Sequence, residues 1–137
     1  MKLPELLAEF DDVDPEDALE ILMEFAERLP PASAGRSGSG EPTDCRILEC
    51  QTPVYLWVDL NAGHVHLEAV VPEKSPTVRG FVALLVEGLE GATAAEVAEI
   101  PDDFLPLLGL TDTLGMTRQR GFRGVVARIK REVAQKA

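Results

Sequence analysis

Only two cysteines, Cys45 and Cys50, occur in the 137 residues. That is too few for the disulfide framework of a small secreted domain, and a reducing compartment keeps such thiols free unless they react. No apolar run approaches the roughly 20 residues that span a bilayer. The opening MKLPELLAEFDDVD soon turns acidic, unlike a signal peptide with its basic lead and apolar middle. The expectation is therefore a soluble protein of the cytoplasm, without membrane attachment. Positive charge is scarce as well: the formal net charge is -11, which argues against sequence-independent binding to nucleic acid, since that depends on neutralising phosphates with Lys and Arg. There is no Gly-rich phosphate loop, no Ser/His/Asp order, and no acid pair set apart from ordinary helix-surface charge, so other enzyme classes gain nothing.

What is present is enough apolar residue, 45%, for residues 1–137 to bury a core as one domain without a metal or disulfide staple. The charge is unevenly spread. Residues 118–137 hold seven cations (Arg118, Arg120, Arg123, Arg128, Lys130, Arg131, Lys136) against Glu132, a net +6 that leaves -17 on the remainder. Such asymmetry can orient a protein partner during encounter. For most of these arginines, however, a solvated basic helix face is the commoner origin of such a run.

Along the chain, Asp14 followed by Pro15 reads as a helix start. Ala18, Leu19, Ile21, Leu22, Phe25, Ala26 and Leu29 recur at helical spacing up to Pro30-Pro31. Residues 30–44, PPASAGRSGSGEPTD, are Pro/Gly/Ser-rich and predict a flexible surface loop within the domain, leading into the cysteines. Over 54–60 the pattern alternates, with Val54, Leu56, Val58 and Leu60 on one face and Tyr55, Trp57 and Asp59 on the other. Asn61-Ala62-Gly63 is turn chemistry, and Val65, Leu67, Ala69 and Val71 repeat the alternation, predicting a β-hairpin. Residues 46–48 are a candidate third antiparallel strand. Ser75-Pro76 opens a helix through Leu89; Thr93 and Glu96 form a capping box for a short one. Residues 101–110 suggest another short helical piece. Thr117 is a candidate cap for a last helix burying Phe122, Val125, Val126, Ile129 and Val133. This order predicts an α+β fold, a small antiparallel sheet of about three strands covered on one face by helices.

A cysteine beside an apolar strand is more often an inert core residue than a nucleophile. Cys50, however, falls between a loop-like segment and the first clear strand. Pro53 withholds an N–H just after it, and Gln51 and Thr52 place polar groups beside it. An exposed sulfur fits these neighbours.

The string LECQTPVYLWV resembles the Cys-Gln-Ser-x-Val-Trp-Leu string of the SufE sulfur-acceptor proteins. In the same order follow a helix ending in ERLP before it, a hairpin after it, TVRGFVALLVEGL, which is similar to the family's Val-Arg/Lys-Gly-Leu helix, and GLTDTLGMTRQRGFRGVVARIK, which is similar to its closing helix. The resemblance covers nearly the whole chain. It implies a fold like that of SufE and of U-type iron-sulfur scaffold proteins. It also implies a carrier that takes persulfide sulfur from a cysteine desulfurase, stimulates that enzyme, and passes the sulfur on to a scaffold protein for iron-sulfur cluster assembly. Such a protein is an accessory sulfur carrier, not a stand-alone enzyme, and it has no bound cofactor beyond the transient persulfide. A monomer or weak dimer is consistent with it.

By the same resemblance Cys50 is the acceptor, Arg118 stands where the family has its arginine before the closing helix, and Gln51 matches the family's glutamine. Thiolate chemistry asks of Cys50 a thiolate fraction, nucleophilicity and access. Arg118 could stabilise the thiolate or persulfide electrostatically, or be a plain surface arginine. Arg79-Gly80 matches a family pair whose role is read as helix packing. The chain departs from the pattern at Glu49, where the family usually has glycine; a negative side chain there raises the Cys50 pKa unless it points away or pairs with Arg46. PEKSP, with Lys74, replaces an acidic stretch, and Tyr55 replaces a tryptophan. Cys45 has no counterpart. It is read as a spectator, the alternative being a disulfide with Cys50. His64 and His66 lie two residues apart on one strand face and with the two thiols raise the question of zinc, but this spacing is weak and no metal is assigned. Two other readings stand beside sulfur transfer: a docking module in which Glu49 has disabled the transfer, and a redox or metal protein using both thiols.

Overall fold

The computed structural model describes residues 1–32, 53–110 and 112–137. The predicted loop at 30–44 lies mostly outside these, and the candidate strand at 46–48 and both cysteines lie wholly outside. The elements in order are α1 (Leu3–Ala8), α2 (Pro15–Ala26), β1 (Tyr55–Asn61), β2 (His64–Val70), α3 (Pro76–Gly88), α4 (Ala94–Ala98), α5 (Leu105–Leu108) and α6 (Met116–Lys136). The class is α+β, as expected from the order of patterns. Among the described residues the sheet has two strands, β1 and β2, antiparallel.

The hairpin turns through Ala62 and Gly63, between the paired Asn61 and His64. Both turn residues have positive φ, 52° and 81°, the two-residue geometry whose twist matches that of the flanking strands. The register that follows sets the two faces. Leu56 pairs with Ala69, Val58 with Leu67 and Leu60 with Val65, on the face turned to the core. Tyr55 pairs with Val70, Trp57 with Glu68 and Asp59 with His66, on the other. A one-residue slip would exchange these sets, so burial of the first fixes the second.

Helix α3 packs against β2 and α6 against β1, covering the apolar sheet face. Nine residues of α3 are buried, among them Val78, Phe81, Val82, Leu84 and Leu85. A helix apolar on nearly every side belongs in the middle of the molecule, and α3 also touches α1, α2 and α6. Phe81 stacks on Phe122 of α6 with ring centroids 4.1 Å apart.

Close approach of α2 to α3 depends on Gly80. A Cβ at that position would lie 1.9 Å from the carbonyl oxygen of Leu22. Beside it, Arg79 donates from Nε to the carbonyl of Ala26 (2.9 Å) and from Nη1 to that of Val71 (2.6 Å). One guanidinium thus satisfies an open carbonyl at the end of α2 and ties it to the end of the hairpin. The Arg79-Gly80 pair serves packing, in agreement with the reading from sequence.

Several boundaries differ from the sequence expectation. Helix α1 has no counterpart in it: six residues carry too short a period to stand out, yet Leu3 and Leu6 bury against the body. Helix α2 stops at Ala26, before the Pro30-Pro31 pair. Gly115, extended at φ -68° and ψ 163°, is the N-cap of α6, and Thr117 lies exposed inside the first turn. The capping box at Thr93 and Glu96 is formed, with the Glu96 amide donating to Thr93 Oγ1 (3.2 Å) and the Thr93 amide to Glu96 Oε1 (2.9 Å).

Candidate functional site

Of the three site residues expected from sequence, Cys50 and Gln51 lie outside the described residues, as do Cys45 and Glu49. The described chain resumes at Pro53, just ahead of β1, and Tyr55 enters the buried set at the first position of the strand. Arg118 is described. It sits in the first turn of α6, exposed, at the helix end whose unpaired N–H groups carry partial positive charge.

The cations of the C-terminal segment divide into two sets. Lys130 donates to the carbonyl of Ile100 (2.6 Å) and to Asp102 (3.0 Å). Arg123 lies 3.9 Å from Asp103. Arg128 pairs with Glu132 one turn on, and Lys136 reaches the Val58 carbonyl and Glu132. These four pin α6 to its neighbours or to itself. Arg118, Arg120 and Arg131 are exposed, and no ion pair joins them to another described residue. Arg123 and Lys136 are exposed too, so what sets the other three arginines apart is that they make no ion pair with a described residue.

A second group of chemically capable side chains lies on the outer sheet face. Asp59, His66 and Glu68 each offer a donor atom within 4.8 Å of the others, all partly buried. The hairpin register places Asp59 directly across from His66, and Glu68 two residues on along the same face. From beyond the sheet, Glu90 reaches His66 Nδ1 at 2.7 Å, while His66 Nε2 stands 3.4 Å from Glu68 Oε2. The hydrogen bond to Glu90 chiefly, with the charges of Glu90 and Glu68 behind it, raises the His66 pKa above its ordinary value, against a smaller opposing effect of burial. His64 has a different partner, with Nδ1 2.9 Å from the Gly91 carbonyl. The two histidines considered together in the sequence are thus held by different groups. Asp59 and Glu68 were not singled out from sequence, although alternation and the turn position together would have placed them beside His66. No local signal pointed to Glu90, 24 residues from its partner.

Among the described residues a two-stranded sheet is backed by α3 and α6, an α+β arrangement of the kind the SufE resemblance implies. Residues 4–133 match the SufE family, the Fe-S metabolism associated domain. The chain is 36% identical over 135 residues to an uncharacterized SufE-like protein of Mycobacterium tuberculosis (strain ATCC 25618 / H37Rv), covering 97% of this chain and 92% of that one. It is 24% identical over 88 residues to the cysteine desulfuration protein SufE of Plasmodium falciparum (isolate 3D7), covering 62% of this chain and 35% of that one. Among solved structures, a hypothetical protein from Thermus thermophilus, determined in solution, superposes with a TM-score of 0.80 at 34% identity, over 98% of this chain and 94% of that one. The chain belongs to the SufE family. No helix among the described residues is long and apolar enough to cross a membrane.

Proposed function

We propose that this protein accepts persulfide sulfur from a cysteine desulfurase on Cys50, stimulates that enzyme, and delivers the sulfur to a scaffold protein for iron-sulfur cluster assembly in the cytoplasm. The observation that carries the reading is the SufE match, whose span of residues 4–133 includes Cys50. The relative named as a cysteine desulfuration protein supports it. In the transfer step the Cys50 thiolate attacks the outer sulfur of the donor's cysteine persulfide. The donor's S–S bond breaks, its cysteine leaves as thiolate, and a persulfide forms on Cys50. One sulfur atom moves and no external oxidant or reductant is consumed. No bound cofactor takes part.

Arg118, exposed at the start of α6, supplies positive charge that favours the thiolate and persulfide over the neutral thiol. Gln51 offers a hydrogen bond beside the sulfur. The test is mass spectrometry after mixing the chain with desulfurase and cysteine. One sulfur atom is expected on Cys50 and none on Cys50→Ser, while Arg118→Ala slows loading about two- to fivefold, the range that an exposed charge worth ~0.3–1 kcal/mol produces. An adduct confined to Cys45 would overturn the assignment. Glu49, adjacent in sequence to Cys50, favours a second reading in which its charge suppresses the thiolate and the chain only docks on a desulfurase. Complex formation with unchanged desulfurase turnover is the outcome that selects it.

A further inference from the structure

We propose that Asp59, His66 and Glu68 form a binding site for a borderline first-row divalent cation, of which Zn2+ is the probe, on the outer face of the hairpin. None of its residues belongs to the cysteine string.

Three observations carry it. The donor atoms of the three side chains lie within 4.8 Å of one another, so modest rotamer changes bring them to the ~2.0–2.2 Å metal distances that imidazole and carboxylate ligands adopt. The backbone already sets their convergence. Asp59 and His66 are a cross-strand pair, and Glu68 follows on the same face. Finally, His66 has the outer support that metal-binding histidines carry, with Glu90 accepting from Nδ1 at 2.7 Å. That bond holds the ring and directs Nε2 toward Glu68 and Asp59. Nε2 faces Glu68 across 3.4 Å as a weak ion-pair partner; a bound cation takes the place of the Nε2 proton, which is released to solvent.

One imidazole and two carboxylates select for zinc, manganese or ferrous iron over magnesium or calcium, because nitrogen donors suit the borderline cations. His66 is 40% exposed and Glu68 15%, which leaves the remaining coordination positions to water or to a partner's side chain. Asp59 and Glu68 engage other groups as well, so the cation competes with existing contacts and the site is one of exchangeable occupancy. His64, held at the Gly91 carbonyl, is not a ligand.

The test uses the full chain carrying Cys45→Ser and Cys50→Ser, so that no thiol can bind metal and the outcome is independent of sulfur transfer. After treatment with a chelator, the protein is dialysed against micromolar Zn2+ and bound metal is measured by elemental analysis. One zinc per chain is expected. Occupancy is lost in His66→Asn, affinity falls at least tenfold in Asp59→Asn and in Glu68→Gln, and Glu90→Gln, a positioning change, weakens it about tenfold. Proton–nitrogen NMR of the imidazoles reads the site without any further substitution: zinc shifts the His66 ring resonances and leaves those of His64 in place. Absence of bound zinc, zinc retained unchanged by folded His66→Asn, or an unmoved His66 ring overturns the proposal.

Discussion

Ala62 holds a backbone angle, φ 52°, that an L-residue with a Cβ adopts at a penalty of roughly 1 kcal/mol, whereas asparagine offsets part of it through its side chain. The turn tolerates this because Gly63 takes the second positive-φ position and the buried pairs behind it hold the register. Ala62→Asn is expected to raise stability by about 0.5–1 kcal/mol, measured as a higher urea midpoint with an unchanged slope. At this same scale the residues of the expected site diverge in how they could be known. Cys50 and Gln51 were assignable only through the motif they share with SufE proteins, since spacing and composition leave a strand-edge cysteine ambiguous. His66 was visible as a histidine on an alternating strand. Its chemistry was not, because that depends on Glu90, in the turn just after α3.

Between elements, the α2–α3 contact rests on the absence of one side chain. An alanine in the middle of an isolated helix improves on glycine by ~1 kcal/mol, but at position 80 its Cβ would sit 1.9 Å from a backbone oxygen that has no rotamer to change. Overpacking therefore wins, and Gly80→Ala is expected to destabilise by about 3 kcal/mol despite the better propensity. Chemical denaturation against the parent decides the sign. The α4 capping box gives a pH signature. The Thr93 amide, bonded to the Glu96 carboxylate, lowers the pKa of that group below its ordinary 4.5. The folded state thus favours the ionised form, so its contribution is present above pH 4.5 and is lost as pH falls through the lower folded pKa. Urea midpoints of the parent and Glu96→Gln, followed across acid pH, should separate above 4.5 and converge below. The starts of α2, α3 and α4, marked by proline or by a capping box, were readable in sequence. The start of α6 was not: Thr117 reads as its cap, whereas the N-cap is Gly115, which has no side chain to mark the position.

Over the whole molecule, four cations of the basic C-terminal segment are held by contacts within the fold, while the net charge stays at -11. Lys130 and Lys136 reach backbone carbonyls of other segments, Arg123 lies beside Asp103, and Arg128 pairs with Glu132. Arg118, Arg120 and Arg131 remain turned to solvent. If these three steer the approach of an acidic partner, replacing all of them with serine should slow association with the desulfurase about tenfold at low ionic strength, with the difference vanishing near 1 M salt, where the Debye length is ~3 Å. Stopped-flow association rates across a salt series measure it, and a deficit that persists at high salt would point to direct contacts instead of steering. The sequence by itself determined the class of fold, the two faces of the hairpin, the apolar stripes of its longer helices and the resemblance to the SufE family. Each of these follows from periodicity or from a motif carried by residues close together along the chain. Tertiary structure alone decided that Gly80 is the seat of α2, that three of the seven C-terminal cations make no ion pair with a described residue, and that Glu90 supports His66. Such contacts join residues far apart in sequence, and their distances are set by how helices and sheet pack, which no local pattern specifies.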